Sequence, residues 1–180
     1  MANLKSLAKD TAIYGLSSIV GRFLNYLLVP LYTHVISAAS GGYGVVTNLY
    51  AYTALLLVVL TFGMETTFFR FMNDEKEEHD TVFSVAFGVI ALLTSVFLGL
   101  VFGFSSSVSS ALGYADNPEY VQLMACVVAL DALQALPFCH LRYRHKAMRF
   151  ASLKLLFIAM NIGLNLLFFL VLGYRDVLWV

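Results

Sequence analysis

The run "TVFSVAFGVIALLTSVFLGLVFGF", Thr81 to Phe104, contains no charged side chain. A spanning helix needs about 20 predominantly apolar residues to cross a hydrocarbon layer about 30 Å thick. This run is long enough. It is also too continuously apolar for a barrel strand, which would alternate weakly over about ten residues. The rest of the chain repeats the pattern. Its 180 residues are 60% hydrophobic and 12% charged, with a mean hydropathy of +0.81. Soluble domains carry about 25% charged residues, so this chain has more apolar surface than a soluble core of its size could hide. The composition predicts an all-α polytopic membrane protein.

Working outward, five transmembrane helices are predicted, over residues 11–36, 42–64, 81–104, 118–139 and 150–173. Together they form one N-terminal transmembrane bundle, residues 1–180. Asn117-Pro118-Glu119 reads as an N-cap, a proline at the first helical position and an acid in the first turn. The glycines at 41, 42 and 44 mark the turn between the first two spans. Pro30 and Pro137 predict kinks, which a bundle tolerates where neighbours satisfy the freed carbonyl. "SSSVSS", 105–110, reads as a short outer loop. The opening "MANLKSLAKD" does not resemble a cleaved signal peptide, because the apolar run behind it is too long. Cys126 and Cys139 lie in one apolar segment, too far apart to be bridged within one helix, and read as packing residues.

Basic residues set the orientation. Lys5, Lys9, Arg70, Lys76, Arg142, Arg144, Lys146 and Arg149 all fall on one side of the membrane. Arg175 alone falls on the other. The N-terminus is therefore expected in the cytoplasm. The acidic run "NDEKEEHD" reads as a solvated loop. The cluster "LRYRHKAMR" is explained by topology, and its other use would be to hold anionic lipid head groups.

The polar residues inside the spans carry the functional reading. A charge at the centre of a spanning helix costs roughly 2.5–3.5 kcal/mol even on the lenient insertion scale. Arg22 lies midway along the first span and Asp131 near the middle of the fourth. Thr11, Gly15, Ser18, Arg22 and Asn25 follow steps of 4, 3, 4 and 3, which is one helical face. Asp131 and Gln134 share a face of the fourth helix. Lys154, Asn161 and Asn165 share a face of the fifth, with Lys154 near enough to the cytoplasmic end to snorkel. The simplest bundle brings these stripes together around a polar interior at mid-membrane, with Asp131 or a ligand opposite Arg22. Structural pairing of Arg22 with Asp131, and amides acting as interhelical glue, are the plainer alternatives. Gly99 and Gly103 permit close helix packing. Glu65 and Arg70 frame "FGMETTFFRFM" and are candidates for a cytoplasmic gate.

Enzyme motifs are absent. No phosphate-cradling glycine loop or HExxH occurs, and the four histidines have no ligand-like spacing. The reading is a non-enzyme with no cofactor or metal and no nucleic-acid partner.

Three stretches resemble one family. "AIYGLSSIVGRFLNYLLVPLYTHVISAASGGYGVV", "LTFGMETTFFRF" and "LPFCHLRYRHKAMRFASLKLLFIAMNIGLNLLFF" together are similar to the polysaccharide transporter, or O-antigen flippase, family of the multidrug/oligosaccharidyl-lipid/polysaccharide exporter superfamily. They follow the family's order over nearly the whole chain. The resemblance implies a two-lobed transporter of the bacterial inner (plasma) membrane. Such a transporter would flip lipid-linked oligosaccharide precursors of lipopolysaccharide or related polymers to the outer leaflet by alternating access. The partners implied are the lipid bilayer, the lipid-linked glycan and a C-terminal lobe. H+ or Na+ coupling is implied too. Arg22 would attract the diphosphate. Ser18, Asn25, Gln134, Asn161 and Asn165 would hydrogen-bond sugar hydroxyls, Lys154 would add charge at the edge, and Asp131 would carry a coupling proton or hold Arg22. Family members are longer, so the chain matches most of a first lobe. Two other readings compete: a cation-coupled drug or toxin antiporter of the same superfamily, and a non-transporting membrane scaffold.

Overall fold

The computed structural model describes residues 4–35, 42–74 and 78–167. Among them every regular element is helical: α1 (Leu4–Tyr26), α2 (Leu28–Val35), α3 (Gly42–Thr61), α4 (Met64–Met72), α5 (His79–Gly103), α6 (Ser105–Ala111), α7 (Pro118–Tyr143) and α8 (Ala147–Leu166). The chain divides into two compact units. One comprises residues 1–46 and 144–180, the other residues 47–143.

Four described stretches are long and apolar enough to cross a membrane: Gly42–Met72, His79–Gly103, Pro118–Tyr143 and Ala147–Leu166. Five were expected, and the missing one is the first. Pro30 explains it. A proline removes its own amide donor and crowds the carbonyl four residues back. That carbonyl belongs to Tyr26, the last residue of α1. The helix is interrupted at the one residue Leu27, whose amide still donates to the Phe23 carbonyl at 3.1 Å, and continues as α2. The longer piece begins at Leu4 and takes in Lys5, Lys9 and Asp10 as well as Arg22, and α2 has only 8 residues.

The second expected span also divides. Phe62 and Gly63 take φ of 45° and 67°. A left-handed conformation is uncommon for a residue other than glycine, and the pair ends α3 and starts α4. The serine run at 105–110 is a helix, not a loop. Val108 and Leu112 lie one turn apart and pack against the buried core, which fixes α6 as a helix across its serines. α7 starts at Pro118 with Glu119 in its first turn, and it continues through Pro137 to Tyr143.

Within the unit of residues 47–143, α7 packs against α4, α5 and α6. Its buried face is Val121, Ala125, Val128, Ala132, Leu136 and Cys139, a run of steps of three and four. The alanines let neighbouring backbones approach closely. That matters in lipid, where packing, not water exclusion, holds helices together. Opposite them α5 presents Ala86, Ile90, Thr94 and Val101. Phe68 of α4 is fully buried and meets Phe83 of α5 and His140 and Tyr143 of α7, at ring-centroid distances of 6.2, 6.3 and 6.5 Å.

In the unit of residues 1–46 and 144–180, α1 packs along α8. Ser17 and Gly21 are buried on α1; Ala147, Phe150, Ala151 and Ile158 are buried on α8. Tyr14 meets Phe150 edge-on at 5.1 Å. A Cβ built on Gly21 would lie 2.7 Å from Ile158 Cδ1, so the two helices are in close contact at this point.

Candidate functional site

The polar residues inside the spans were expected to form one interior. They fall in both units. Ser18, Arg22, Asn25, Lys154, Asn161 and Asn165 belong to the first, Asp131 and Gln134 to the second, with Glu65 and Arg70. The side chains of Arg22 and Asn25 lie outside the described part of the structure.

The α1–α8 pair carries the denser group. Two contacts fix its register. At one end Asp10 Oδ2 lies 3.6 Å from His145 Nδ1. In the middle Gly21 meets Ile158. The two helices run the same way, so Arg22 in the α1 backbone is level with Ala159, less than one turn from Asn161. Arg22 is twelve residues beyond Asp10, about 18 Å at the helical rise. That is well inside a hydrocarbon core about 30 Å thick.

On α8, Lys154, Asn161 and Asn165 sit within a narrow arc, as their spacing of 7 and 4 requires. Lys154 and Asn165 are half-buried and Asn161 is exposed. The Asn165 amide donates to the Asn161 carbonyl at 2.8 Å. Its oxygen accepts a hydrogen bond from the Tyr32 hydroxyl of α2, also at 2.8 Å. Tyr32 was not among the expected site residues. Its signal was legible, because a tyrosine within an apolar run needs a partner for its polar tip. On α1 the polar stripe lies about 100° from the packing face of Ser17 and Gly21. Thr11 and Gly15 are exposed, and the half-buried Ser18 donates to the Tyr14 carbonyl at 2.9 Å. Its proton is therefore committed to its own helix, a common fate for serine in a helix interior.

The Tyr32–Asn165 bond ties α2 to α8 and is open to test. Interhelical polar contacts in membranes average about 0.6 kcal/mol, with a maximum near 1.7. A double-mutant cycle of Tyr32→Phe and Asn165→Leu, read by SDS titration of the folded protein, should give a coupling of about 0.6–1.5 kcal/mol. A coupling of zero would mean that water, not Tyr32, satisfies the amide.

In the second unit Gln134 donates to Asp131 Oδ1 at 2.6 Å. Both side chains are half-buried midway along α7. Glu65 and Arg70 stand in the first and last turns of α4. Five residues apart, they point about 140° away from one another. Glu65 and Arg142 lie near the buried thiol of Cys139. At the same end the Tyr143 hydroxyl and His79 Nε2 share a hydrogen bond of 3.2 Å. A cavity of about 280 Å³ opens between α4 and α5, lined by Met64, Phe68, Phe71, Val82, Val85 and Val89 among others. Its walls are apolar apart from Thr67 and Thr81 and include none of the expected site residues. Among the described residues no cluster of His, Cys, Asp and Glu could hold a metal ion.

Apolar helices of spanning length, with amides and charges set at depth within them, define a multi-pass membrane protein of all-α fold. A family profile described as polysaccharide biosynthesis protein matches residues 39–177. The chain belongs to that family, consistent with the resemblance to polysaccharide transporters and flippases. No curated protein and no solved structure matches the chain.

Proposed function

We propose that the chain forms most of one lobe of a transporter that flips lipid-linked oligosaccharide or polysaccharide precursors from the cytoplasmic to the outer leaflet. The observation that carries this reading, beside family membership, is the register of α1 on α8. It sets Arg22 of the backbone level with Ala159, less than one turn from Asn161, at a depth lipid would not tolerate without a reason. A lipid-linked glycan offers a diphosphate for a guanidinium and hydroxyls for amides, while its tail stays in the bilayer. In this reading Asp131, held by Gln134, carries the coupling proton, or Na+ takes its place. The N-terminus faces the cytoplasm, the orientation that the basic residues favour, and the membrane is a bacterial inner membrane, as the family resemblance implies. Transport makes and breaks no covalent bond, so the protein is not an enzyme. Alternating access moves one bundle against another, and the reading requires a second lobe, as further helices or a second chain.

The test is glycan display at the cell surface, with variants matched for protein level. A charge-assisted hydrogen bond contributes about 1.5–3 kcal/mol. Arg22→Ala should therefore lower display at least about tenfold, with Arg22→Lys retaining part of it. Unchanged display in both variants would end the claim that Arg22 handles the substrate and would favour a scaffold.

A further inference from the structure

Charge on the side of the membrane that holds the N-terminus is segregated. Residues 70–80 carry Arg70 and Lys76 against Asp74, Glu75, Glu77, Glu78 and Asp80. The start of α1 and the turn into α8 have the reverse balance. Lys9, Arg144, Lys146 and Arg149 are all exposed there. The nearby acid, Asp10, is engaged by His145, and the first turn of α8 contains no acid. A general need for positive charge on this side does not explain why the turn into α8 is basic while residues 70–80 are mostly acidic.

The turn cannot move its charges away from the membrane. Residues 144–146 alone separate α7 from α8, and both helices are long and apolar enough to span. Three residues reach at most about 10 Å, so Lys146 and Arg149 stay in the head-group layer. Below Arg149 the surface of α8 turns apolar. Leu153, Leu156 and Met160 follow it at steps of 4, 3 and 4, and are 41%, 54% and 53% exposed. A cation at the interface with an apolar ridge running down from it has the shape of a bound diacyl lipid. A free anion would use the first and have no need of the second.

We infer that Lys146 and Arg149 bind the phosphate of an anionic glycerophospholipid, whose acyl chain lies along Leu153, Leu156 and Met160. The Arg149 guanidinium offers a paired hydrogen-bond fork to phosphate oxygens. Lys146 adds a point charge, and its stem covers apolar surface. This site is independent of the proposed transport.

Native mass spectrometry of the full chain in a neutral detergent, titrated with phosphatidylglycerol or with phosphatidylcholine of the same acyl chains, tests the inference. Detergent removes any effect of the variants on membrane orientation. A basic residue at an anionic surface is worth about 1 kcal/mol, or roughly fivefold in affinity. Lys146→Gln/Arg149→Gln should therefore lower phosphatidylglycerol affinity roughly 30-fold and leave phosphatidylcholine unchanged. The charge-keeping pair Lys146→Arg/Arg149→Lys should retain most of the preference. Arg70→Gln, in the acidic segment, should change nothing. Equal binding of the two lipids by the unmodified protein, or no loss in the Gln pair, overturns the site. Inorganic phosphate binding as tightly as phosphatidylglycerol, with the same dependence on Lys146 and Arg149, would make it a free-anion site and overturn the lipid assignment.

Discussion

Phe68→Ala is expected to destabilise the unit of residues 47–143 by about 2–3 kcal/mol, the largest loss from any single truncation. The ring is fully buried and is where α4, α5 and α7 meet. In a water-soluble core, Phe→Ala costs about 3–5 kcal/mol, as lost transfer from water plus the cavity left behind. In lipid the first term shrinks, because the separated helix exposes its ring to hydrocarbon instead of water. The cavity term remains. Its size depends on whether the surroundings can collapse, and here they cannot do so readily. Phe83, His140 and Tyr143 are themselves held, Phe83 by stacking on Phe87 at 5.9 Å and Tyr143 by its bond to His79. SDS titration in mixed micelles should show the loss. Phe68→Leu, which keeps most of the volume, should cost less than half as much. A Phe68→Ala protein as resistant as the unmodified one would mean that the three helices are not joined through this ring.

What could be read in advance follows from which forces act locally. The cores of α5 and α7 were legible as long apolar runs, because a spanning helix must satisfy its backbone internally and cover it with apolar side chains. The narrow arc of Lys154, Asn161 and Asn165 was legible too, since spacing alone fixes a helical face. The interruption at Leu27 was legible as a kink from Pro30, but not its exact position. That position depends on the neighbours around the Tyr26 carbonyl, and spacing says nothing of neighbours. The serine helix α6 was missed because its composition is that of a loop, and only Val108 and Leu112 docking on the core decides the matter. The partner of Asn165 was missed for a similar reason. Tyr32 is 133 positions away and meets it only through the packing of α2 and α8.

The glycine at 21 gives a second prediction, because it determines where the polar stripe of α1 comes to rest. A Cβ there would lie 2.7 Å from Ile158 Cδ1 and 3.6 Å from Cγ1. Those atoms are the outer end of a flexible side chain, so Gly21→Ala asks only for a rotamer change. It also gains about 1 kcal/mol of helix propensity, and the net effect should be near zero. Gly21→Leu is different. Its added carbons have to enter the line of contact between α1 and α8, where overpacking costs typically 1–3 kcal/mol. Helix propensity recovers less than 1 kcal/mol of that, so the variant should be about 1–2 kcal/mol less stable. The helices can escape the clash only by separating or by turning α1, and either moves Arg22 relative to Asn161. Gly21→Leu should therefore lower glycan display even where the protein level is normal. Ile158→Ala made in the same chain vacates the space and should restore both stability and display in large part, although alone it leaves a cavity and destabilises. That reciprocal rescue separates a steric contact from a general intolerance of change at residue 21. If Gly21→Leu is as stable as the unmodified protein, or if Ile158→Ala worsens it, α1 and α8 do not meet in this register, and the reading of Arg22 as level with Asn161 fails with it.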